Sequence, residues 1–473
     1  MQALLIMKKK DTPQILENIE ITALSSDGRG IARMEGMVIF VDEAVKGDTV
    51  DVQIYRKKSG YREGKAIRFY ERSKDRTDPA CHHYGVCGGC TWQNLKYEAQ
   101  LNHKHQMVFD ALHRIGKIEL PPFESILGAP EPFAYRNKME YTFSALRWFT
   151  DAEIASDISF ADSKALGFHV PGRYDKILPI ERCLLQDDLA NRIRNRTREL
   201  TLEADYPFYH QKKHEGLLRN LMLRNTRAGE WMLVLSATEW NEKTEYILNT
   251  LRDEFPEIVS MMYAVNTKKN DVWFDLDIQL FNGKPYLEER MEDLVFRIGP
   301  KSFYQTNPQQ AYHLYSIVRD FAGLTGTETV YDLYCGTGTI SLFLARQAKK
   351  VLGVEYVADA VIDANINAQL NGIGNTQFYA GDMKNVLSAE FFSANGKPDV
   401  IITDPPRAGM HQDVCERIVE SGAHKVVYVS CNPSTQARDL ALLDSMYKVV
   451  KVQPVDMFPQ TTHVENCVLL EKR

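Results

Sequence analysis

The sequence predicts an α/β protein in three parts: a small β-barrel, a β-rich central domain with a cysteine cluster, and a Rossmann-like domain. Short β-favouring runs separated by glycine-containing turns fill the first part. Longer strand patterns dominate the second part. In the third part strands alternate with helices, which indicates a parallel, doubly wound sheet. We place the three parts at residues 12–72, 73–300 and 301–473.

The overall composition is that of an ordinary globular protein, with 44% hydrophobic and 25% charged residues in a chain of 473. The net charge of −6 excludes a generally basic surface, so any surface that binds nucleic acid must be local. The opening MQALLIMKKK has the reverse order of a secretory signal and is too short to cross a bilayer. We therefore expect a cytoplasmic protein with no membrane partner. We also expect a monomer, and Met7 is an alternative start to Met1.

The first part combines basic and aromatic residues. Its strand-like runs are ENIEITAL, GMVIFVDEA, GDTVDVQIYRKK and REGKAIRFY. The residues in question are Arg56, Lys57, Lys58, Arg62, Lys65, Arg68, Arg72 and Lys74, with Tyr55, Tyr61 and Phe69 between them. Cations contact phosphates and aromatic rings stack on bases, so this composition predicts RNA binding. The alternative is a solvated barrel face.

The segment CHHYGVCGGC opens the second part. Cys81, Cys87 and Cys90 have C-x5-C-x2-C spacing, which suggests a metal site in a reducing cytosol, with the fourth ligand elsewhere in the chain. His82 and His83 are either ligands or surface residues.

The remainder of the second part is predicted to be mostly strands. A helix is expected first, over about 95–114. The strand patterns are YRNKMEYTFS, ALGFHV, WMLVLSAT and DVWFDLDIQLF, and LANRIRNRTREL is typical of a helix. The segment TDAEIASDISFADS is expected to be a loop.

The third part begins with the pattern strand, glycine-rich turn, helix in ETVYDLYCGTGTISLFLARQ. Further strands are expected in KVLGVEY, TQFYAGD, PDVIITDPPR and HKVVYVSCNPS, and a helix in ADAVIDANINAQLNG. The ending YKVVKVQPVDMFPQTTHVENCVLLEKR lacks a helix between its two strands. It therefore predicts an antiparallel hairpin at one edge of the sheet.

A row of acidic residues follows the predicted strands of this domain. The turn Gly336-x-Gly338 lacks the third glycine of the dinucleotide fingerprint, but Glu355 ends the next strand, where a carboxylate can accept ribose hydroxyls. Asp382 and Asp404 follow the third and fourth strands. Carboxylates repel phosphates but suit the ribose and the cationic methionine part of S-adenosylmethionine, so a methyltransferase is favoured over a dehydrogenase. Alternatively, the glycines mark only a strand–helix junction and the carboxylates cap helices.

Cys431 ends an apolar run, VYVSCNPS, and an Asn-Pro turn follows it. A cysteine at the carboxyl end of a parallel strand lies where ligands bind, so it is a candidate nucleophile. Its alternative role is that of a small buried apolar residue. Cys335, Cys415 and Cys467 lie in the cofactor turn, in a helix pattern and within a strand pattern, and lack this setting.

Six segments, FYQTN, DLYCGTGT, GVEY, TDPPRAG, SCNPSTQARDL and DMFPQTTHVENCVLL, together resemble the RNA (uracil-5-)-methyltransferases, which make 5-methyluridine. The first part is similar to a TRAM domain. The resemblance implies that Cys431 adds to carbon 6 of uracil, which makes carbon 5 nucleophilic enough to take a methyl group. It further implies that Glu465 is the general base that removes the carbon-5 hydrogen. Asp404 and His463 are its rivals.

The same resemblance implies the cofactors. Gln305, Tyr334, Glu355 and Asp404 match the family's S-adenosylmethionine-binding residues, and Thr339 and Asp382 are secondary candidates. Cys183 matches a distant fourth cysteine that, with Cys81, Cys87 and Cys90, would hold a [4Fe–4S] cluster. Four thiolates also suit zinc.

Three functions compete. The first is methylation of a uridine in RNA, with ribosomal RNA (23S) favoured over transfer RNA because many bacterial enzymes of the transfer-RNA branch lack the barrel and the cluster. The second is cytosine carbon-5 methylation, but those enzymes usually place the nucleophile in a Pro-Cys setting, and DPPR contains no cysteine. The third is a non-catalytic RNA-binding or chaperone protein. Cys431, Glu465 and the acidic row together argue against it.

Overall fold

The computed structural model describes residues 14–156 and 163–473. The opening segment with the alternative start Met7 lies outside this range. The chain divides into two compact units. The first unit comprises the chain up to Gly85 together with Gly89–His103 and Gln460–Thr462, and the second comprises Val86–Gly88, Lys104–Pro459 and His463–Arg473.

The first unit contains a sheet of six strands in the order β1-β5-β6-β4-β3-β2. The strands are β1 (Gln14–Glu20), β2 (Ala23–Leu24), β3 (Gly30–Met34), β4 (Met37–Asp42), β5 (Thr49–Lys57) and β6 (Tyr61–Glu71). Neighbours pair antiparallel except β4 and β6, which are parallel. Alternate apolar residues such as Ile39, Val41, Val50 and Val52 point inward and form a single core. The predicted barrel-type first part is confirmed.

Helix α1 (Tyr97–Ala111) continues as one π-helical turn, Leu112–Gly116, and matches the predicted helix. In the second unit, Val108 and Leu112 are fully buried in the core on one face of the Rossmann sheet. No helix within residues 14–156 and 163–473 is long and apolar enough to cross a membrane.

The central sheet of the second unit has seven strands in the order β13-β12-β11-β10-β7-β8-β9. The strands are β7 (Lys138–Ser144), β8 (Ala165–Val170), β9 (Arg173–Pro179), β10 (Leu218–Asn225), β11 (Trp231–Ala237), β12 (Ile258–Val265) and β13 (Ile278–Gly283). The helices of this region are α2 (Asp151–Ala155), α3 (Asp188–Glu203) and α4 (Glu242–Glu254). Residues of α3 and α4 share one core with the sheet.

Three expectations for this region need correction. The predicted loop TDAEIASDISFADS contains α2, because Thr150 and Glu153 form a capping box that starts a helix. The helix α4 was not predicted, although Asn241 caps it in the same manner. The predicted strand DVWFDLDIQLF pairs only from Ile278 onward, after an exposed turn.

The Rossmann sheet has the order β18-β17-β16-β19-β20-β22-β21. Its strands are β16 (Thr329–Leu333), β17 (Lys350–Glu355), β18 (Thr376–Ala380), β19 (Val400–Thr403), β20 (Lys425–Ser430), β21 (Tyr447–Val455) and β22 (Glu465–Lys472), and a hairpin of β14 (Leu287–Met291) and β15 (Leu294–Ile298) precedes them. The helices are α5 (Pro308–Ala322), α6 (Thr339–Ala345), α7 (Ala358–Leu370), α8 (Met383–Val386), α9 (Ala389–Asn395), α10 (Gln412–Ser421) and α11 (Pro433–Leu443).

An apolar core lies on each face of this sheet, as a doubly wound fold requires. The strands β16 to β20 pair in parallel, and β22 pairs antiparallel with both β20 and β21. The predicted hairpin at the edge is confirmed.

Candidate active site

The carboxyl ends of four adjacent parallel strands lie along one edge of the Rossmann sheet. Tyr334 follows β16, Glu355 ends β17, Asp404 follows β19 and Cys431 follows β20. Doubly wound sheets bind their ligands at this edge. The structure therefore brings the candidate nucleophile and three candidate cofactor-binding residues to one place.

The last strand adds Glu465 to this edge. In the antiparallel ladder between β20 and β22, Ser430 pairs with Asn466, so one further step of the same register sets Cys431 opposite Glu465. Residues directly opposite in such a ladder have Cβ atoms about 4.5–5.5 Å apart. Cys431 is half-buried and Glu465 is only 4% exposed. The charge of Glu465 also acts on the Cys431 thiol, so the extended register and the electrostatics both place the two groups close together.

The turn after Cys431 is fixed to the loop after Asp404. Asn432 caps α11 by accepting the Ser434 N–H at 3.1 Å. Its Nδ2 donates to the Arg407 carbonyl at 3.1 Å, and Thr435 Oγ1 donates to the same carbonyl at 3.2 Å. These bonds set the Arg407 backbone beside the nucleophile.

Burial raises the pKa of both carboxyls at this point. The pKa of Glu465 lies well above its ordinary value because the side chain is buried and because Asp404 adds a negative charge nearby. Burial alone raises the pKa of Asp404 to about 7. Burial therefore shifts both groups toward the neutral form, and a cationic ligand beside them would shift them back toward the ionised form.

The thiol of Cys431 responds to the same surroundings. Burial and the negative charges of Glu465 and Asp404 together raise its pKa to about 11, although Arg407 opposes the increase. The thiol therefore stays protonated at neutral pH, and a thiolate forms only when cationic charge increases or carboxylate charge decreases around it.

His463 is a second candidate base two residues before Glu465. Desolvation and the positive charges of Arg407, Lys104 and Arg136 lower its pKa, so the imidazole is neutral and able to accept a proton. Lys104 is fully buried and donates to Asp456 Oδ1 at 2.5 Å and to the Phe458 carbonyl at 3.0 Å.

The glycine-rich turn after β16 has left-handed backbone at three positions: Tyr334 (φ 63°), Gly336 (φ 53°) and Gly338 (φ 77°). A Cβ on Gly338 would approach Ala364 and Phe378 to 3.0 Å, so that glycine allows close packing. Apart from its chain neighbours, no atom of the described residues lies within 4 Å of a Cβ placed on Gly336. The turn is therefore open on the side of Gly336, where a ligand can approach the backbone.

Both carboxylate oxygens of Glu355 already accept backbone hydrogen bonds. Gly336 N–H donates to Oε2 at 3.0 Å and Val357 N–H donates to Oε1 at 2.8 Å. Each oxygen keeps further acceptor capacity, so the carboxylate is oriented at the edge and can still accept ribose hydroxyls.

The other candidate cofactor residues differ in their surroundings. Gln305 is 9% exposed and lies just before α5, which Asn307 caps. Thr339 is the first residue of α6 and is buried, with its Oγ1 3.4 Å from Thr337 Oγ1. Asp382 caps α8 by accepting the Lys384 N–H at 3.2 Å, which is the alternative role that its sequence position allows.

Asp332 was not identified from the sequence, although it lies in DLYCGTGT. It is 1% exposed, and burial together with the charges of Asp404 and Glu355 raises its pKa to about 7, although hydrogen bonds from Ser341 oppose the increase. Its Oδ2 accepts a 2.5 Å hydrogen bond from Ser341 Oγ, and its Oδ1 has no hydrogen-bond partner among the described residues. A carboxylate within the otherwise apolar β16 was the available signal.

The four candidate metal ligands lie in turns and loops, and all are half-buried. Cys81 and Cys90 belong to the first unit, and Cys87 and Cys183 to the second. Within residues 14–156 and 163–473, no three His, Cys, Asp or Glu side chains are grouped as they would be to hold a metal ion. The rings of His82 and His83 are 3.9 Å apart.

Two of these cysteines share one environment. Cys87 and Cys183 both pack against the apolar cluster of Val170, Leu178 and Ile180. The Cys183 N–H donates to Asn191 at 2.8 Å. The two thiols of the second unit therefore lie against one apolar surface, although they are distant in sequence.

In the first unit, part of the predicted RNA-binding set engages the protein itself. Arg56 pairs with Glu63 at 3.2 Å and Lys65 with Glu43 at 3.0 Å. Lys57, Lys58 and Lys74 are exposed. Arg68 lies over Tyr70, and Arg72 over Phe69, at 4.8 and 4.9 Å. The exposed Tyr55 donates to Asp42 at 2.8 Å. Cations and aromatic rings are thus adjacent on this surface, as the composition predicted.

Two segments of the chain match known protein families. Residues 238–473 match the family described as tRNA (uracil-5-)-methyltransferase, and residues 17–67 match the TRAM domain. An RNA methyltransferase of Bacteroides thetaiotaomicron is 54% identical over 454 residues, which are 95% of this chain and 100% of that protein. An RNA methyltransferase of Porphyromonas gingivalis is 49% identical over 460 residues, 96% and 99% of the two chains.

One solved structure is similar over nearly the whole chain. It is the tRNA (uracil-54, C5)-methyltransferase of Pyrococcus abyssi in complex with S-adenosyl-L-homocysteine. The TM-score is 0.75 and the sequence identity 28%, with 96% of this chain and 100% of that chain covered.

Proposed function

Because the chain belongs to the S-adenosylmethionine-dependent RNA (uracil-5-)-methyltransferase family, we propose that it methylates carbon 5 of a uridine through a covalent bond between Cys431 and the base. The observation that supports this proposal best is the ladder register that sets Cys431 opposite the buried Glu465 at the ligand-binding edge of the sheet.

The reaction has three steps on the base. The Cys431 sulfur forms a bond to carbon 6, and the electron pair of the carbon 5–carbon 6 double bond moves into the ring to give an enolate. S-adenosylmethionine would supply the methyl group that carbon 5 then takes, and breaking its sulfur–methyl bond would leave S-adenosylhomocysteine. Glu465 removes the proton from carbon 5, the double bond forms again and the carbon 6–sulfur bond breaks. Because the target base is stacked within RNA, it must be flipped out to reach Cys431.

The electrostatics explain when this site becomes reactive. Without ligand, Glu465 favours its protonated form and Cys431 its thiol form. The cationic sulfonium of S-adenosylmethionine, if bound at this edge, would supply the positive charge that lowers the pKa of the Cys431 thiol and favours the thiolate. The buried site is thus activated by the charge of its cofactor.

We propose that Gln305, Tyr334, Glu355 and Asp404 bind S-adenosylmethionine, with Thr339 and Asp382 in secondary roles. The open space at Gly336 and the oriented carboxylate of Glu355 support a ribose at this edge. The unpartnered Oδ1 of Asp332 adds a buried acceptor beside the same turn.

We further propose that Cys81, Cys87, Cys90 and Cys183 ligate a [4Fe–4S] cluster that shapes the RNA-binding part of the protein. The environment that Cys87 and Cys183 share, and the thiolate chemistry of the four residues, support this assignment. Thiol ligands and an RNA substrate both suit a reducing cytoplasm.

The substrate is proposed to be 23S ribosomal RNA, with transfer RNA as the second candidate. The similarity to the Pyrococcus abyssi enzyme favours transfer RNA, because it covers 96% of this chain and so includes most of the barrel. The barrel alone therefore does not distinguish the two substrates. Mass mapping of uridines in both RNAs from a deletion strain tests the proposal. The proposed function would be contradicted if the deletion strain kept its 5-methyluridine in both RNAs.

A further inference from the structure

We infer that Arg224 and Asn137, two side chains of the central domain, are positioning residues that hold the loop of residues 299–307 and with it Gln305. This loop, here called the Gln305 loop, leads from β15 to the cap of α5. The inference rests on the proposed binding of S-adenosylmethionine by Gln305.

Arg224 lies on β10 and is 1% exposed. Its Nη1 donates to the carbonyls of Gly299 at 3.1 Å and Ser302 at 2.9 Å. Burial lowers its pKa to about 10, and no carboxylate in the described part of the chain forms an ion pair with it. A buried cation is costly without compensation, and here two carbonyls of the Gln305 loop accept its hydrogen bonds, while the charges of Glu140 and Glu289 also favour the cation without forming ion pairs.

Asn137 holds the other end of the loop. Its backbone N–H donates to the Thr306 carbonyl at 2.8 Å, and its Nδ2 donates to the Gln305 carbonyl at 3.2 Å. Its own carbonyl accepts the Asn225 N–H at 2.9 Å, which ties it to the end of β10. Adjacent residues of β10 thus support both ends of the loop.

The Rossmann domain holds the same loop from its other side. Ser302 Oγ donates to Asp363 Oδ2 at 2.6 Å, and Thr337 Oγ1 of the cofactor turn lies 3.5 Å from the Phe303 carbonyl. The loop is therefore held between the central sheet and the cofactor turn. The position of Gln305 depends on both.

The test is the substitution Arg224→Met. Methionine keeps an apolar side chain of similar length but lacks the Nη1 group that donates both hydrogen bonds to the loop. Calorimetry should show S-adenosylmethionine binding weakened about tenfold, because bonds from charged donors are among the stronger ones. The KM for the cofactor should increase in parallel. The kcat at saturating cofactor should stay within about threefold, since neither residue touches the target base.

Arg219→Met is the matched control. Arg219 lies on the same strand, is also 1% exposed, and bonds to the carbonyls of Asn266, Lys268 and Asn270 and to Asp271, none of which belongs to the Gln305 loop. This variant should lose stability but bind the cofactor within about twofold of wild type. Arg224→Lys, which keeps a charged donor, should recover part of the affinity. Equal cofactor affinity in Arg224→Met and wild type would overturn the inference.

Two further measurements keep the inference separate from folding and from the proposed function. Asn137→Ala is the milder variant and should weaken binding about threefold, so it decides the matter if Arg224→Met does not fold. Hydrogen exchange of residues 299–307 without cofactor should be faster in Arg224→Met and unchanged in Arg219→Met. If wild type binds no S-adenosylmethionine, the proposed function fails, and unchanged exchange would separately overturn the positioning role.

Discussion

The edge of the Rossmann sheet and the cysteine set bring residues together in different ways. At the edge, Cys431 and Glu465 follow or begin strands whose pairing fixes them opposite each other. The candidate metal ligands instead lie in turns and loops, with two in each unit. Strand pairing fixes where each residue of a strand lies relative to the residues of the next strand. A cysteine in a loop has no strand register that fixes its position. Substitutions at the edge should therefore reduce activity but leave the fold intact. Substitutions in the cysteine set should reduce stability.

The largest expected effect comes from Cys431→Ala. Methylation should decrease by about 10⁴-fold or more, because the variant lacks the thiol proposed to add to carbon 6. S-adenosylmethionine binding, measured by calorimetry, should remain within about threefold, since the thiol acts on the base. Cys415→Ala, a buried cysteine on α10, is the control and should retain activity. Near-normal turnover by Cys431→Ala would remove the proposed nucleophile.

The next effect separates the base from the nucleophile. In Glu465→Gln, Cys431 should still add and the methyl group should still transfer, but elimination should be slower by about 10²-fold or more because the base is lost. A methylated protein–RNA adduct should therefore survive denaturing electrophoresis. It should be absent from the Cys431→Ala, Glu465→Gln double variant. Normal turnover without an adduct would transfer the role of base to His463 or Asp404.

The cysteine set should respond in metal content. Protein purified without oxygen should be brown and contain about four irons per chain, as one cubane requires. Cys87→Ser and Cys183→Ser should each lose the iron and lower the melting temperature, since metal binding adds to folding stability. Cys415→Ser should keep the iron. Colourless wild-type protein that contains zinc would show that the thiols serve a zinc site.

The smallest effect tests the buried charge at the edge. The folded pKa of Asp404, about 7, lies above the ordinary value of 3.8, so its contribution to stability is complete below about pH 4 and is lost as the pH increases toward 7. Asp404→Asn removes this contribution. Between pH 5 and pH 8, the melting temperature of the ligand-free variant should therefore decrease by about 2–4 °C less than that of the wild type. Asp413→Asn, on the exposed side of α10, should behave as wild type. Equal decreases in Asp404→Asn and wild type would place Asp404 in a solvated site.

Much of the fold was predictable because its signals are local. Alternation of apolar strands and helices predicted the doubly wound sheet, and the missing helix before Glu465 predicted the antiparallel edge. The errors lie where local signals were weak or overlooked. Two capped helices, α2 and α4, were missed, although Thr150 and Asn241 are typical capping residues.

The sequence predicted which residues belong to the site but not which contacts those residues make. Strand-end positions identified Glu355, Asp404 and Cys431 as neighbours, because parallel strands end at one edge. The sequence did not show that Glu355 is oriented by the Gly336 and Val357 amides, nor that Asp332 is buried with one oxygen unpartnered. These hydrogen bonds and this burial depend on the path that the backbone takes through the turns after the strands.

The amino-acid pattern already specifies which reactive groups the chain carries: a thiol after one strand, carboxylates after others and a glycine turn between them. How reactive these groups are, and what holds them in place, follows from the three-dimensional packing. Burial raises the pKa values of Cys431 and Glu465, and the carbonyls that Arg224 bonds lie more than seventy positions further along the chain. Burial and long-range hydrogen bonds depend on which distant segments pack together, and local sequence patterns do not encode that packing.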